Sequence, residues 1–367
     1  MNIFWFRRDL RLGDNRSLSD IAKFDEWAAI YIHDVFLQSQ DDFSSLHRDF
    51  IDESLEDLSK NFKKFGGFLN IYEGDSGSIF SSLINKYNIQ RVYSNSEIGS
   101  KSIRDRDLAL EKLFKSQKVQ WLIYQNNGVV GQLKNRDGWS EKWNKEMYKP
   151  IVQDVNVSKT IKLKIDGLGG VFTRKKIYKV DHQKRYNGGE KNGHDQLNYF
   201  LNKSGRTYFG DISSPLKSEK SCSRLSPYIT FGNLSIRQIV KATRSRQREL
   251  REIKSRDGWL KSLSAFSSRL RWHCHFIQKL EMQPDLEYTN MVRAFDGIRD
   301  NHSDILFNAW KNGITGYPMV DACMRFLKVT GWINFRMRAM LVSFASYNLW
   351  LDWRATSKYL SKYFLDY

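Results

Sequence analysis

The sequence predicts an α/β domain with a mostly parallel sheet at the N-terminus, followed by an all-helical domain. Three observations predict it. Residues 1–127 alternate short apolar runs with stretches of helical periodicity, the pattern of βαβ units. After about residue 188 the recognisable segments have helical pattern only. The length of 367 residues is enough for two hydrophobic cores.

In chain order, strands are predicted at 2–6, 27–32, 68–72, 90–94 and 119–124, with helices at 51–65, 79–87 and 103–115. Ligands of such sheets bind beyond the carboxyl ends of the strands. The loop after the first strand carries Arg7, Arg8, Asp9, Arg11 and Asp14, whose mixed charges read as an exposed, internally paired loop rather than a catalytic one. Gly74, Asp75 and Ser76 form an anion-facing turn, but no Gly-x-Gly-x-x-Gly is present, so no dinucleotide-binding Rossmann site is assigned.

Residues 128–187 lose the alternation and read as a connector, anchored across the two domains by Trp139, Trp143 and Tyr148. Asn187, Gly188 and Gly189 mark a turn before a helix at 195–202. A helix at 236–254 carries Arg237, Lys241, Arg244, Arg246, Arg248, Arg251 and Lys254, a stripe that is either solvated or phosphate-facing. In the next helix, 259–279, the spacing of Phe266, Arg269, Trp272, His273 and Phe276 lets several line one wall; a core helix with a polar edge has the same pattern. Glycines and Pro318 break 309–333 into short elements, whereas 334–350 reads as one continuous helix with Arg336 and Arg338 in its opening turns. Packing on one side with solvated arginines explains it, as does a pocket wall for a large, partly anionic, planar molecule.

The chain has 59 basic and 41 acidic residues, a formal charge of +18, and its field attracts a polyanion such as nucleic acid. Cys222, Cys274 and Cys323 are too scattered for a disulfide framework or a metal-ligand pair. No secretory segment or membrane span is predicted, which points to a soluble cytoplasmic protein. His273 and His275 lack neighbours that complete a metal-ligand set, and no compact Ser-His-Asp or Cys-His signature is present.

Several runs resemble one family. They are WFRRDLRLGDN at 5–15, GGE at 188–190, CSRLSPY at 222–228, FGNLS at 231–235, and the stretch 309–354 with its GYP at 316–318. Together they are similar to the DNA photolyase and cryptochrome family, whose helical domain binds FAD. The resemblance implies FAD contacts at Tyr208, Cys222, Ser223, Arg224, Leu225, Ser226, Phe266, Arg269, His273, Trp332, Arg338 and Asp366. It implies DNA contacts at Trp272 and Arg336, electron transfer through Trp353, and chemistry shaped by Trp272, Arg338 and Asp366. It also implies an antenna role for the first domain, with a folate or a deazaflavin as second chromophore near Asn95, Glu97, Arg104 and Asp105.

The implied activity is blue-light-dependent repair of cyclobutane pyrimidine dimers in UV-damaged DNA by electron transfer from reduced FAD. The alternatives are a cryptochrome-like photoreceptor, a non-repairing nucleic-acid-binding flavoprotein, or a fragment needing a C-terminal partner polypeptide. The family pattern breaks at several places. Arg269 stands where an active-site glutamate is common, and His273 replaces an arginine. Asn334 lies one place before a family asparagine, with Phe335 at the matching site, and Asp300 stands where a surface tryptophan is often found. The sequence ends at Tyr367, directly after Asp366, so the helical domain (188–367) is expected to be C-terminally truncated, with an incompletely walled pocket.

Overall fold

In the computed structural model, residues 1–153, 155–165, 186–299 and 302–367 are described. Asp300 and most of the second half of the connector lie outside them. Five strands, β1 (Asn2–Phe6), β2 (Trp27–Asp34), β3 (Leu69–Gly74), β4 (Arg91–Asn95) and β5 (Gln120–Tyr124), form a parallel sheet of order β3-β2-β1-β4-β5. Each lies within two residues of its predicted span. Every residue of β1 and β2 is buried, which explains their near-continuous apolar runs. Phe4, Phe6, Trp27 and Ala29 face one core, and Ile3, Trp5, Ala28 and Ile30 face the other, the period-two division of a pleated sheet. The strand order reverses between β1 and β4, so the loops leaving their carboxyl ends frame the crevice where such sheets hold ligands.

The Ser45–Lys64 helix starts earlier than the apolar periodicity predicts, because His47 reaches back to accept the Ser44 backbone N–H at 3.1 Å. The Glu190–Asn202 helix likewise starts earlier, directly after Gly189. The helical domain is built mainly from that helix and from Ile236–Glu252, Trp259–Met282, Pro318–Thr330, Phe335–Ser343 and Trp353–Ser361. The predicted continuous helix at 334–350 is corrected in two ways. Asn334 is the N-cap, accepting from Met337 N at 2.9 Å. After Ser343 the backbone widens into a π turn, with Leu349 N donating to Phe344 O, and Trp350 takes a left-handed φ of 57°.

One hydrophobic core runs from the sheet face holding Phe4 and Phe6 into the helical domain at Phe200, Phe231 and Trp332. Trp139 and Trp143 join it as the sequence predicts, but Tyr148 is 53% exposed and stays outside it. A separate cluster around Trp310, Met324, Leu341 and Leu360 fills the C-terminal part. No described helix is long and apolar enough to cross a membrane.

The charged loop after β1 is buried rather than exposed, with Arg7, Asp9, Arg11 and Asp14 all nearly inaccessible, and only part of its pairing is internal: Arg7 N donates to Asp9 Oδ1, and Arg11 to Gly13 O and Asp14 O. Much of its pairing crosses to the helical domain. Leu10 N donates to Phe231 O at 3.1 Å, Arg11 Nη1 to Gly232 O at 2.9 Å, and Arg237 grips Asp14 through both Nε and Nη2 at 3.0 and 2.6 Å. Glu190 accepts from Leu12 N and Gly13 N at 2.9 and 3.0 Å. Gly232 permits this approach: its φ is 69°, and a Cβ there would lie 2.3 Å from Arg8 O. This clasp fixes the two domains around the cavity described next.

Candidate functional site

A cavity of about 1060 Å³ opens between the domains. Its helical wall includes Tyr208, the 222–226 loop, Arg269, Trp272, His273, Trp332, Arg336, Arg338, Trp353 and Asp366. All the residues predicted for FAD, DNA and electron transfer therefore converge here except Phe266, whereas of the predicted antenna residues only Glu97 lines the cavity. The Phe266 ring is buried, 4.6 Å from Phe200 and 5.9 Å from Tyr208 between centroids, and supports the wall from behind.

Arg338 donates to Asp366 Oδ2 at 2.7 Å and to Ile333 O at 2.9 Å, which fixes its guanidinium against the ring of Phe364. Burial raises the proton affinity of the Asp366 carboxyl, but the adjacent Arg338 outweighs it and holds the group below the ordinary carboxylate range. Oδ1 of Asp366 and Nδ1 of His273 are buried without a hydrogen-bond partner. His273 is half-buried in the cavity wall, and loss of solvent around its ring pushes its pKa down to about 4 although Asp366 pulls the other way. It is thus neutral at physiological pH and does not replace the family's arginine as a cation.

The C-terminal turn that carries Asp366 is secured by the first domain. His47 Nε2 lies 2.8 Å from Phe364 O, Ser44 Oγ donates to Lys362 O at 2.8 Å, and Arg8 Nη1 donates to Tyr367 O at 3.1 Å. Thr230 Oγ1 donates to Asp366 O at 3.1 Å from the helical side. On the opposite wall, Gln196 Nε2 donates to Ser223 O at 2.8 Å, and Arg224 adopts a left-handed φ of 57°. The Arg224 guanidinium lies 4.2 Å from the Trp332 ring centroid and is hydrogen-bonded to Tyr186 Oη.

At the mouth, Trp272, Phe276 and Phe335 form a ledge of three substantially exposed rings. Trp272 and Phe276 are 5.7 Å apart, and Phe276 stacks on Phe335 at 6.4 Å and 23°. Phe276 and Phe335 join only in the fold; the one sequence signal for this ledge is that Phe276 follows Trp272 by one helical turn. Arg269, 6.0 Å from the Trp272 centroid, and Arg336 are exposed beside the ledge, and neither forms an ion pair among the described residues. Asn334 faces no ligand with its amide: Nδ2 donates to Ile212 O, Ser214 O and Ser218 Oγ, so the side chain is spent on structure. Trp353 lines the cavity and donates its indole N–H to Asn290 Oδ1 at 2.8 Å.

The cavity continues to the β1/β4 crevice. There Glu97 is flanked by Arg7 at 2.9 Å, Arg106 at 2.8 Å and Arg8 at 3.4 Å. Burial opposes ionisation of Glu97, yet the three guanidinium groups drive its pKa down to about 2. Asn95 Nδ2 donates to Asp9 Oδ2 at 2.6 Å, while Arg104 reaches across to Glu287 at 3.1 Å and Asp105 pairs with Lys101 on the surface. Among the described residues no group of three His, Cys, Asp or Glu side chains is placed to hold a metal ion.

Two family models match this chain. One, described as DNA photolyase, covers residues 2–141, and the other, described as the FAD binding domain of DNA photolyase, covers residues 266–367. The chain belongs to the DNA photolyase and cryptochrome family. Among photolyase relatives, the deoxyribodipyrimidine photo-lyase of Alkalihalophilus pseudofirmus is 25% identical over 99% of this chain and 76% of its own length. The chloroplastic/mitochondrial cryptochrome DASH of Arabidopsis thaliana is also 25% identical, over 100% of this chain and 67% of its own. A Synechocystis cryptochrome structure superposes with a TM-score of 0.83 at 22% identity, covering 100% of this chain and 79% of that one. The photolyase of Sulfolobus tokodaii, solved with two FAD molecules, gives 0.74 at 25% identity, covering 100% and 80%. This chain is shorter than each of them.

The cavity fits the FAD that its domain type implies. Its volume of about 1060 Å³ lies just above the roughly 300–1,000 Å³ typical of small-molecule sites. It offers hydroxyls at Ser223 and Ser226, a fixed cation at Arg338, and the unpaired buried atoms Asp366 Oδ1 and His273 Nδ1, which await a polar ligand.

Proposed function

We propose that this chain is a blue-light-dependent DNA photolyase that repairs cyclobutane pyrimidine dimers in UV-damaged DNA in the cytoplasm. The carrying observation is the gradation along one cavity, from unpaired buried polar atoms inside to unpaired cations beside an aromatic ledge at the mouth. The inner set suits a cofactor and the outer set suits a nucleic acid. Bound FAD would supply light absorption and one-electron transfer.

The residues divide the remaining work. The hydroxyls of Ser223 and Ser226, with Tyr208, Cys222, Arg224 and Leu225, hold the phosphate and sugar portion. Arg338, oriented by Asp366, sets the charge beside the isoalloxazine. Trp332 walls the ring site, and neutral His273 offers a hydrogen-bonding nitrogen there. Trp272 stacks on an extruded base, and Arg336 neutralises a backbone phosphate. Trp353 passes electrons between the cavity and the surface.

We place the antenna-type domain at 1–127, the connector at 128–187 and the flavin-binding domain at 188–367. A folate or deazaflavin antenna in the β1/β4 crevice is supported by its continuity with the main cavity.

One observation favours a second reading, a cryptochrome-like photoreceptor without repair turnover. Arg269 supplies a cation where the family commonly has an acid, and it has no carboxylate partner among the described residues. The deciding experiment measures FAD content, then dimer loss from an irradiated oligonucleotide in blue light and in darkness. Loss confined to light is expected. Stoichiometric FAD with no dimer loss would move the chain to the photoreceptor reading.

A further inference from the structure

The Ile236–Glu252 helix buries Ile236, Ile239, Val240, Thr243, Gln247 and Leu250. A face flanking the buried one exposes Lys241, Arg244, Arg248 and Arg251, spaced by three, four and three residues. At about 1.5 Å per residue they form a stripe roughly 15 Å long. None of the four lines the cavity, and none forms an ion pair among the described residues. Three exposed lysines on other helices are paired at i,i+4, Lys60 with Glu56, Lys101 with Asp105 and Lys191 with Asp195. On the basic helix, Glu249 pairs instead with Arg246, outside the stripe.

A second feature separates this stripe from an ordinary solvated face. The Arg244 guanidinium lies 4.0 Å from the ring centroid of Tyr148, itself more than half exposed. The aromatic face orients the fork without neutralising it. Tyr148 directly follows the Trp139–Met147 helix, which packs against the basic helix through Arg237 and Glu146 at 3.5 Å. The Trp259–Met282 helix turns Arg271 toward that same layer, to Asn144 at 3.0 Å, and Arg269 and Trp272 toward the cavity. The stripe and the cavity mouth are therefore distinct surfaces.

We infer that this stripe is a second nucleic-acid contact, which binds the phosphate backbone of undamaged duplex DNA independently of the cavity. A regular row of unpaired cations reads phosphates without reading bases. It needs neither light nor a lesion, so its failure and the failure of the photolyase reading are separate results. Its consequence is retention of the protein on undamaged DNA between encounters at the mouth.

The test uses the full chain in darkness, with a fluorescent undamaged duplex titrated between about 50 and 200 mM salt. The combined variant Lys241→Ala, Arg244→Ala, Arg248→Ala and Arg251→Ala should bind at least about tenfold more weakly. Its log K against log salt plot should be shallower by about 2 to 4, since each phosphate contact contributes about 0.9. Arg336→Ala at the mouth should change that slope by no more than about one. The single change Arg248→Glu, made at an exposed site, should shift the slope in the same direction if the combined variant folds poorly. An unchanged slope in folded stripe variants would overturn the inference. So would loss of binding to phosphatidylserine vesicles with DNA binding intact, which would make the stripe a membrane contact.

Discussion

The interdomain clasp and the cavity mouth are both rich in arginine, yet they differ in every physical respect that matters. In the clasp, Arg11 and Arg237 are buried and their donors end on carbonyls and carboxylates of the chain itself. At the mouth, Arg269 and Arg336 are exposed and without ion pairs. A buried guanidinium must be satisfied by the fold, because leaving it unpaired costs several kcal/mol. An exposed one can wait for a ligand, since water satisfies it meanwhile. Charge content therefore does not locate function; unspent hydrogen-bonding capacity does.

The sharpest test of the clasp is Asp14→Ala. Asp14 accepts both arms of Arg237, the Ser235 hydroxyl at 2.5 Å and Val152 N at 3.1 Å. Removing it leaves a buried cation without its main partner, and urea unfolding should show a loss of about 3–5 kcal/mol. Gly232→Ala should be next. A left-handed non-glycine residue alone costs about 1–3 kcal/mol, and the new methyl would also press on Arg8 O. A loss below 1 kcal/mol in both variants would show that the domains are held by apolar packing alone.

Acid should weaken the first domain before the mouth. Glu97 has a folded pKa of about 2 against an ordinary 4.5, so its stabilisation is fully present above pH 4.5 and is lost as pH falls toward 2. The difference corresponds to about 3 kcal/mol. His33 and His47 add to the trend at higher pH. Burial lowers their folded pKa values to about 3 and about 4, so below pH 6.5 the unfolded chain takes up protons that the folded chain refuses. The urea midpoint should fall steadily from pH 7 to pH 4. Glu97→Gln should flatten the lower part of that curve, below about pH 4.5; an unchanged profile would remove the arginine cluster as its cause.

What the sequence revealed follows the same division. The strands were legible because β1 and β2 are buried on both faces, which leaves continuous apolar runs that few other structures tolerate. The cavity residues were legible through motifs, since Ser223, Arg338 and Asp366 lie in specific runs of sequence. The clasp was legible only in part. Some pairing within the 7–14 loop follows from its mixed charges, but partners such as Gly232 and Arg237 lie more than two hundred residues away. Asn334 was legible only as a break in the family pattern, since an asparagine before a helix serves equally as a ligand group or a cap, and its distant partners Ile212 and Ser218 decide. The aromatic ledge was half hidden, because Phe276 and Phe335 sit on different helices.

The smallest effect on stability, and the most informative about chemistry, is expected at Arg269. Its side chain is exposed and makes no ion pair among the described residues, so Arg269→Glu should change the unfolding free energy by no more than about 0.5 kcal/mol. The same change exchanges a permanent cation for a group that accepts hydrogen bonds, 6.0 Å from the position of the Trp272 ring. Binding of undamaged DNA should weaken, because a phosphate-attracting charge is replaced by a repelling one. If the arginine is what limits turnover, dimer loss per absorbed photon should nevertheless rise at matched FAD occupancy. A variant that binds DNA less well and repairs no better would show that Arg269 serves the backbone contact, and the cause of any repair defect would then lie deeper in the cavity, beside His273.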